Sequence, residues 1–362
     1  MTRLLLRADA SPTIGAGHIS RMVAYAERAV ARGWEVVFSG RVDNAEWLVS
    51  RFDHLFVPVL KDTQLDVLAE DFDVVLVDHY GLGELRDEVN AAGALLVSLE
   101  DDVFGRRAAD IVVDSGFAPA PRPDDGSGEL LRGVAYAPLR ETFQYARSMR
   151  GGRKAAERPH VTVVLGGGTE WAATVSALLH ALRDTELPFV ADVLVRGEPV
   201  VPEALPGQEF RIAPPGPGLL DLLAETDVAV SAAGVTLLEL CYLGVPTGVV
   251  QLVGNQATGY RGALDLGLVA GLGSAAALDA GAVETLRTLL RDPGVRRRLS
   301  ETAASVVDGG GVDRVLDRVE RCLPTGGRKP SIEVSEGREA EQEWVEDIAD
   351  LMTGRGSSED PV

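Results

Sequence analysis

Residues 3–33 read RLLLRADASPTIGAGHISRMVAYAERAVARG, and this stretch decides the fold. Leu4 to Leu6 form an apolar run bounded by polar residues, the pattern of a buried strand. A loop rich in Ser, Thr, Pro and Gly follows, and beyond it Ile19, Met22, Val23, Ala26 and Val30 recur at helical spacing. A strand, a glycine loop and a helix N-terminus form an anion cradle, because free backbone N–H groups and the positive end of the helix dipole converge there. His18 stands where the helix begins. The dipole disfavours imidazolium, which suits a neutral base; the plainer reading is a residue that helps cap the helix.

A dinucleotide fingerprint does not fit. Gly15 and Gly17 supply two of its three glycines, Ser20 stands at the third, and the next strand ends in Ser39-Gly40 with no acid to hold a ribose. Outward from this unit the chain alternates strands and helices in the doubly wound manner. Glu35–Phe38, Leu55–Val59, the buried run Asp73–Asp78, Ala94–Leu99 and Ile111–Val113 read as strands. Helices fall over Asn44–Phe52, Leu65–Glu70 and Glu84–Ala92. Ligands of open parallel sheets sit beyond the carboxyl ends of strands, where His18, Tyr80 and Asp101 fall. Pro119–Gly133 reads as a surface loop and the acidic turn Glu100-Asp101-Asp102 as solvated.

The pattern restarts after a polar linker at Met149–Pro159. Strands are expected at Val161–Leu165, Val190–Val195, Phe210–Ala213, Val228–Val230 and Pro246–Val253. Glycine turns follow at Gly166–Thr169 and Ser231–Thr236, and helices at Trp171–Leu182, Leu219–Glu225, Thr236–Leu243, Gln256–Leu266, Ala282–Arg291 and Val295–Val306. The domains expected are 1–150, 151–325 and an acidic tail, 326–362. From Ser331 to Val362 the tail carries ten acidic residues against two basic ones. It reads as a solvated, disordered segment, with a helix around Trp344, Ile348 and Leu351 that docks a protein partner as the alternative.

Composition narrows the function. With 362 residues, of which 46% are hydrophobic, the chain has material for two cores. The net charge of −20 argues against a general electrostatic surface for nucleic acid. No apolar run is long enough to span a bilayer and no signal peptide is apparent. Two cysteines, Cys241 and Cys322, form neither a disulfide framework nor a zinc site, which fits the cytoplasm. No cluster has metal-ligand spacing, and no cofactor is expected.

The second half carries a further motif. Ser231-Ala232-Ala233-Gly234 at a strand end opens a helix that contains Glu239, and SAAGVTLLELCYLGVP resembles the donor-nucleotide segment of GT-B glycosyltransferases. With RADASPTIGAGHISR, VDHYG, APLRETF and GGGTE in that order, the chain resembles the UDP-sugar hydrolase of pseudaminic acid biosynthesis and its relatives in spore-coat polysaccharide clusters. The resemblance implies an α/β, GT-B architecture: two Rossmann-like parallel-sheet domains facing across a cleft. It implies His18 as the base that activates water at the anomeric carbon, with Asp9 and Tyr80 shaping the sugar and water site. Glu239 would hold the ribose, and Gly167, Gly168 and Ser231 to Gly234, Ala233 among them, would line the diphosphate. Asn255 and Gln256 would close the cleft, and Gly15, Gly17, Arg21 and Thr169 complete the substrate-binding set. One departure is Ala8, where the family has serine. A GT-B glycosyltransferase, a relative recruited to another nucleotide-linked substrate and a non-catalytic nucleotide-sugar binder are the competing readings.

Overall fold

The computed structural model describes residues 1–11, 15–43, 45–60, 69–151, 156–166 and 171–323, with only the backbone of Asn255. The helix expected over 65–70 falls largely outside these residues, and Gly167, Gly168, Thr169 and the tail lie outside them altogether.

Two parallel sheets carry the chain. The first comprises β1 (Arg3–Ala8), β2 (Glu35–Ser39), β3 (Val59–Leu60), β4 (Val74–Asp78), β5 (Leu95–Glu100), β6 (Ile111–Asp114) and β7 (Glu129–Arg132). Its order is β3-β2-β1-β4-β5-β6-β7, with every neighbouring pair parallel. The second comprises β8 (His160–Val164), β9 (Phe189–Leu194), β10 (Gln208–Ala213), β11 (Val228–Ala232), β12 (Thr247–Gln251) and β13 (Ala270–Ser274). Its order is β10-β9-β8-β11-β12-β13, again parallel throughout. Strand order reverses between β1 and β4 in one sheet and between β8 and β11 in the other. Crevices open at such switch points, beyond the strands' carboxyl ends.

The opening stretch folds as its pattern dictates. Leu4, Leu6, Ile19, Met22 and Val23 are wholly buried, as are Phe38 and Leu76 from the neighbouring strands. Each contributes roughly 1.5–3 kcal/mol of transfer free energy. Gly15 sits at φ +83°, a left-handed conformation that favours glycine, and its N–H donates to Ser11 O at 2.7 Å. The loop expected over Pro119–Gly133 ends instead in β7, which pairs with β6 from Ile111↔Glu129 to Asp114↔Arg132. A further strand, β13, lies between the expected helices Gln256–Leu266 and Ala282–Arg291, in a span to which no element was assigned.

The two halves exchange helices. The helix Thr142–Arg150 buries Phe143 and Ala146 in a core with Leu223, Leu237 and Leu240 of the second half. Arg150 fixes it there by donating to the carbonyls of Leu223, Ala224, Thr226 and Leu243. In return, the helix Gly311–Cys322, grouped by sequence order with the second half, places Val312, Val315, Leu316 and Val319 in the core of the first. Arg32 holds its polar face, at 3.0 Å from Asp313 and 2.7 Å from Asp317. Leu316→Ala is therefore expected to lower the stability of the first half, not the second, by about 2–5 kcal/mol. Urea unfolding followed at Trp34 and Trp47 would check this; an unchanged midpoint would contradict it.

Candidate active site

At the switch point of the first sheet, β4 ends in Asp78, and the helix Gly17–Ala31 brings His18 onto it. The His18 Nδ1 lies 2.6 Å from Asp78 Oδ1, with both residues buried. The same Nδ1 lies 2.9 Å from Arg21 Nη2; when Nδ1–H donates to Asp78, the ring's lone pair is on Nε2, and the two partners together orient the ring. Burial opposes ionisation of Asp78, but the Arg21 guanidinium and His18 outweigh it and hold the carboxyl down to about 2. Asp78 lies within the VDHYG motif but was given no role there; its further signal is an acid that ends a fully buried strand beside β1.

Arg21, expected to contact substrate, is taken up internally. Its Nε donates to Asp78 Oδ2 at 2.7 Å, its Nη1 to Asp101 Oδ1 at 2.6 Å, and its Nη2 to both carboxylates at 2.8 and 2.9 Å. Asp101, read from sequence as part of a solvated turn, is thus one arm of a bidentate pair. Burial raises its carboxyl, and Arg21 brings it below the usual range. Asp101 also accepts from the Tyr80 hydroxyl. The Tyr80 ring packs edge-on against His18 with centroids 4.7 Å apart, and burial together with Asp101 pushes its phenol up.

Asp9 stands at the end of β1 but turns to other partners. It accepts from Arg7, from His79 Nε2 at 2.9 Å and from Arg41 N–H at 2.9 Å. These outweigh burial and hold its carboxyl well below the usual carboxylate range. None of these bonds involves His18 or Tyr80; Asp9 ties the ends of β1, β2 and β4 together.

The second half meets this site with the N-terminus of its helix Val235–Leu243. A Cβ on Gly17 would come 3.2 Å from Val235 Cγ2, so the starts of the two helices are in van der Waals contact. Gly234 is exposed and Ala233 half-buried at that turn. The Ser231 side chain points away from the turn, donating to Val164 O at 2.8 Å, so only its backbone remains for a ligand. Glu239, one turn along, is buried. Its Oε1 accepts from Ser20 at 3.3 Å and from Arg140 at 3.4 Å, and burial pushes its carboxyl up against the pull of Arg140. Arg140 comes from the APLRETF motif, to which the sequence reading gave no role; its guanidinium lies 4.9 Å from the Phe143 ring centroid. The Gln256 side chain accepts from its own loop, at Leu252 N–H. At the ends of β9 and β10 a cavity of about 420 Å³ is lined by Val195, Arg196, Gly197, Ile212, Ala213 and Pro214. Among the described residues no group of three or more His, Cys, Asp or Glu is disposed to hold a metal ion. None of the described helices is long and apolar enough to cross a membrane.

No family model matches the chain. It is 21% identical over 323 residues to the spore coat polysaccharide biosynthesis protein SpsG of Bacillus subtilis (strain 168), across 85% of this chain and 95% of that one. Among solved structures it is similar to MurG of Acinetobacter baumannii, with a TM-score of 0.59 and 16% identity over 89% of this chain and 100% of the other. It is also similar to the spinosyn forosaminyltransferase SpnP, with a TM-score of 0.61 and 15% identity over 89% and 99%. The S. aureus MnaA–UDP structure gives a TM-score of 0.55 and 11% identity over 91% and 99%. The chain has the GT-B fold, two Rossmann-like parallel-sheet domains, as these likenesses establish.

Proposed function

We propose that this protein breaks the bond between the anomeric carbon and the diphosphate of a nucleotide-sugar, with His18 as the base for the incoming nucleophile. The observation that carries this reading is the buried His18–Asp78 pair, set in contact with the N-terminus of a second helix. The His18 Nε2 takes the proton from a hydroxyl as its oxygen bonds to the anomeric carbon. The bond to the diphosphate breaks with its electron pair going to the β-phosphate oxygen. Charge building there is stabilised by the backbone N–H groups and dipole of the helix that starts at Val235. Attack from the face opposite the leaving group inverts the anomeric centre.

Two nucleophiles fit. A carbohydrate hydroxyl makes the protein a glycosyltransferase, the reading favoured by its likeness to the forosaminyltransferase SpnP. Water makes it a hydrolase, and the depth of His18 beneath Tyr80 favours so small a nucleophile. Incubation with UDP-sugars in ¹⁸O-water, with and without carbohydrate acceptors, separates them. Label on the anomeric oxygen without acceptor supports the hydrolase; release that needs an acceptor, without label, supports the transferase.

UDP is the proposed nucleotide, its base in the cavity at β9 and β10 and its ribose hydroxyls donating to Glu239. Because the Glu239 carboxyl is raised, burial penalises its charged form, and that penalty grows as pH rises past about 4. Glu239→Gln removes that penalty but leaves the buried Arg140 guanidinium without its carboxylate, and is expected to lower the melting temperature at pH 7. It should weaken UDP by about 10-fold, the value of one charge-assisted hydrogen bond. Calorimetric titration beside a thermal melt checks this; a raised melting temperature or an unchanged affinity would contradict it.

A further inference from the structure

His18, Asp78, Arg21, Asp101 and Tyr80 form a closed ring of contacts. His18 touches Asp78, Arg21 binds Asp78 and Asp101, Tyr80 donates to Asp101, and the Tyr80 ring returns to His18. Two of the five sit on one helix a single turn apart, and three come from the ends of β4 and β5. The guanidinium is the ring's permanent cation, and all three of its nitrogens are engaged by the two carboxylates. A lysine could supply the charge but not the planar fork that spans both acids.

We propose that Arg21 is the positioning residue of this site: by binding Asp78 and Asp101 together it locks the imidazole and the phenol into one frame and offsets carboxylate charge that would otherwise hold a second proton on His18. This rests on His18 acting as a base. Without Arg21, the Asp78 carboxylate would face the imidazole with Asp101 beside it and no cation between the two acids. Their field favours imidazolium, which cannot accept a proton. The surrounding charges do not supply a substitute. Tyr25 lies behind Asp78 on the helix, and Asp102 and Asp114 add negative charge near Asp101. Arg107 is near Asp78, but it is bound to Ser98 Oγ and to the carbonyls of His79, Leu82 and Gly83. From the second half, Glu239 faces Ser20 and is paired with Arg140.

The test is a pH titration of the protein labelled with ¹³C at the histidine ring carbons, followed by NMR, with the His18 signal identified by its loss in His18→Gln. Arg21→Gln is expected to move the pH at which His18 takes up its second proton upward by about one unit or more. Asp101→Asn, which removes a negative charge and leaves Arg21 on Asp78, is expected to move it downward. Arg21→Lys should stay near the native midpoint yet turn over more slowly, because charge is restored and the fork is not. Opposite shifts in the first two variants support the proposal; no shift, or shifts of the same sign, overturn it. If Arg21→Gln does not fold, the downward shift in Asp101→Asn and the slow turnover of Arg21→Lys decide the matter. The titration needs no substrate. Opposite shifts in a protein that turns over no nucleotide-sugar would leave the frame standing and sink the proposed reaction.

Discussion

His18→Ala is expected to lower nucleoside diphosphate release from a nucleotide-sugar by about 10²–10⁴-fold, the usual contribution of a positioned general base. Nucleotide affinity should hardly change, because the groups proposed to bind UDP belong to the second half. The loss should therefore fall on kcat and leave KM nearly as it was. The fold should survive, since the ring lies at the cleft end of its helix and the wholly buried Ile19, Met22 and Val23 remain. A loss confined to KM would mean that His18 binds substrate without moving a proton.

Asp78→Asn should be the more damaging of the two changes, because it acts on both stability and chemistry. An asparagine cannot offset the Arg21 charge, and an amide nitrogen facing the guanidinium would repel it. Breaking a buried pair by neutralising one partner typically costs about 3–5 kcal/mol. The same change removes the acceptor that sets the His18 tautomer, a loss worth about 10⁴ in turnover where an aspartate plays this part for a catalytic histidine. The pH dependence has a definite sign. The Asp78 carboxyl is held down to about 2, below its ordinary value near 4, so the stability it lends is complete above about pH 4 and is lost as pH falls toward 2. Native protein should thus lose stability steeply across that window, and Asp78→Asn should lose less of it. Urea unfolding at pH 7 and pH 3 measures the difference; equal losses in both proteins would contradict the ionised pair.

What could be read from the sequence and what could not divides along physical lines. The strand and helix of residues 3–33 were legible because one apolar run and one 3.6-residue stripe are both local signals. The run Asp73–Asp78 was legible for the same reason, and with it the switch point where His18 falls. β7 was hidden because Pro, Gly, Asp and Ser dominate the segment leading into it, and its strand exists through edge pairing with β6. β13, with two glycines in five residues, has little propensity of its own and is held by β12. The helix Gly311–Cys322 was not among the helices expected, although Val312, Val315, Leu316 and Val319 recur at i, i+3, i+4 and i+7. No local feature announced that its core lies in the other half of the molecule.

The site follows the same rule. His18 stands out beside its glycine turn, but its partner Asp78 lies 60 residues away. The acids that occupy Arg21 are 57 and 80 residues distant. Pairings of that range are products of topology, so the sequence placed Arg21 in the substrate-binding set and not between Asp78 and Asp101. Ser231 was placed at the right turn, but which way its hydroxyl points is set by the neighbouring strand, at Val164 O.

On this proposal the two helix starts that meet at Gly17 and Val235 form one nucleotide-sugar site served by His18. The most direct measurement is nucleoside diphosphate release from a panel of nucleotide-sugars, with and without carbohydrate acceptors, by the native chain and by His18→Ala. The native chain should release nucleoside diphosphate from at least one UDP-sugar, and the variant should lose nearly all of that release while still binding UDP. Release that is equal in the two proteins, or a native chain that neither binds UDP nor cleaves any donor, would contradict it.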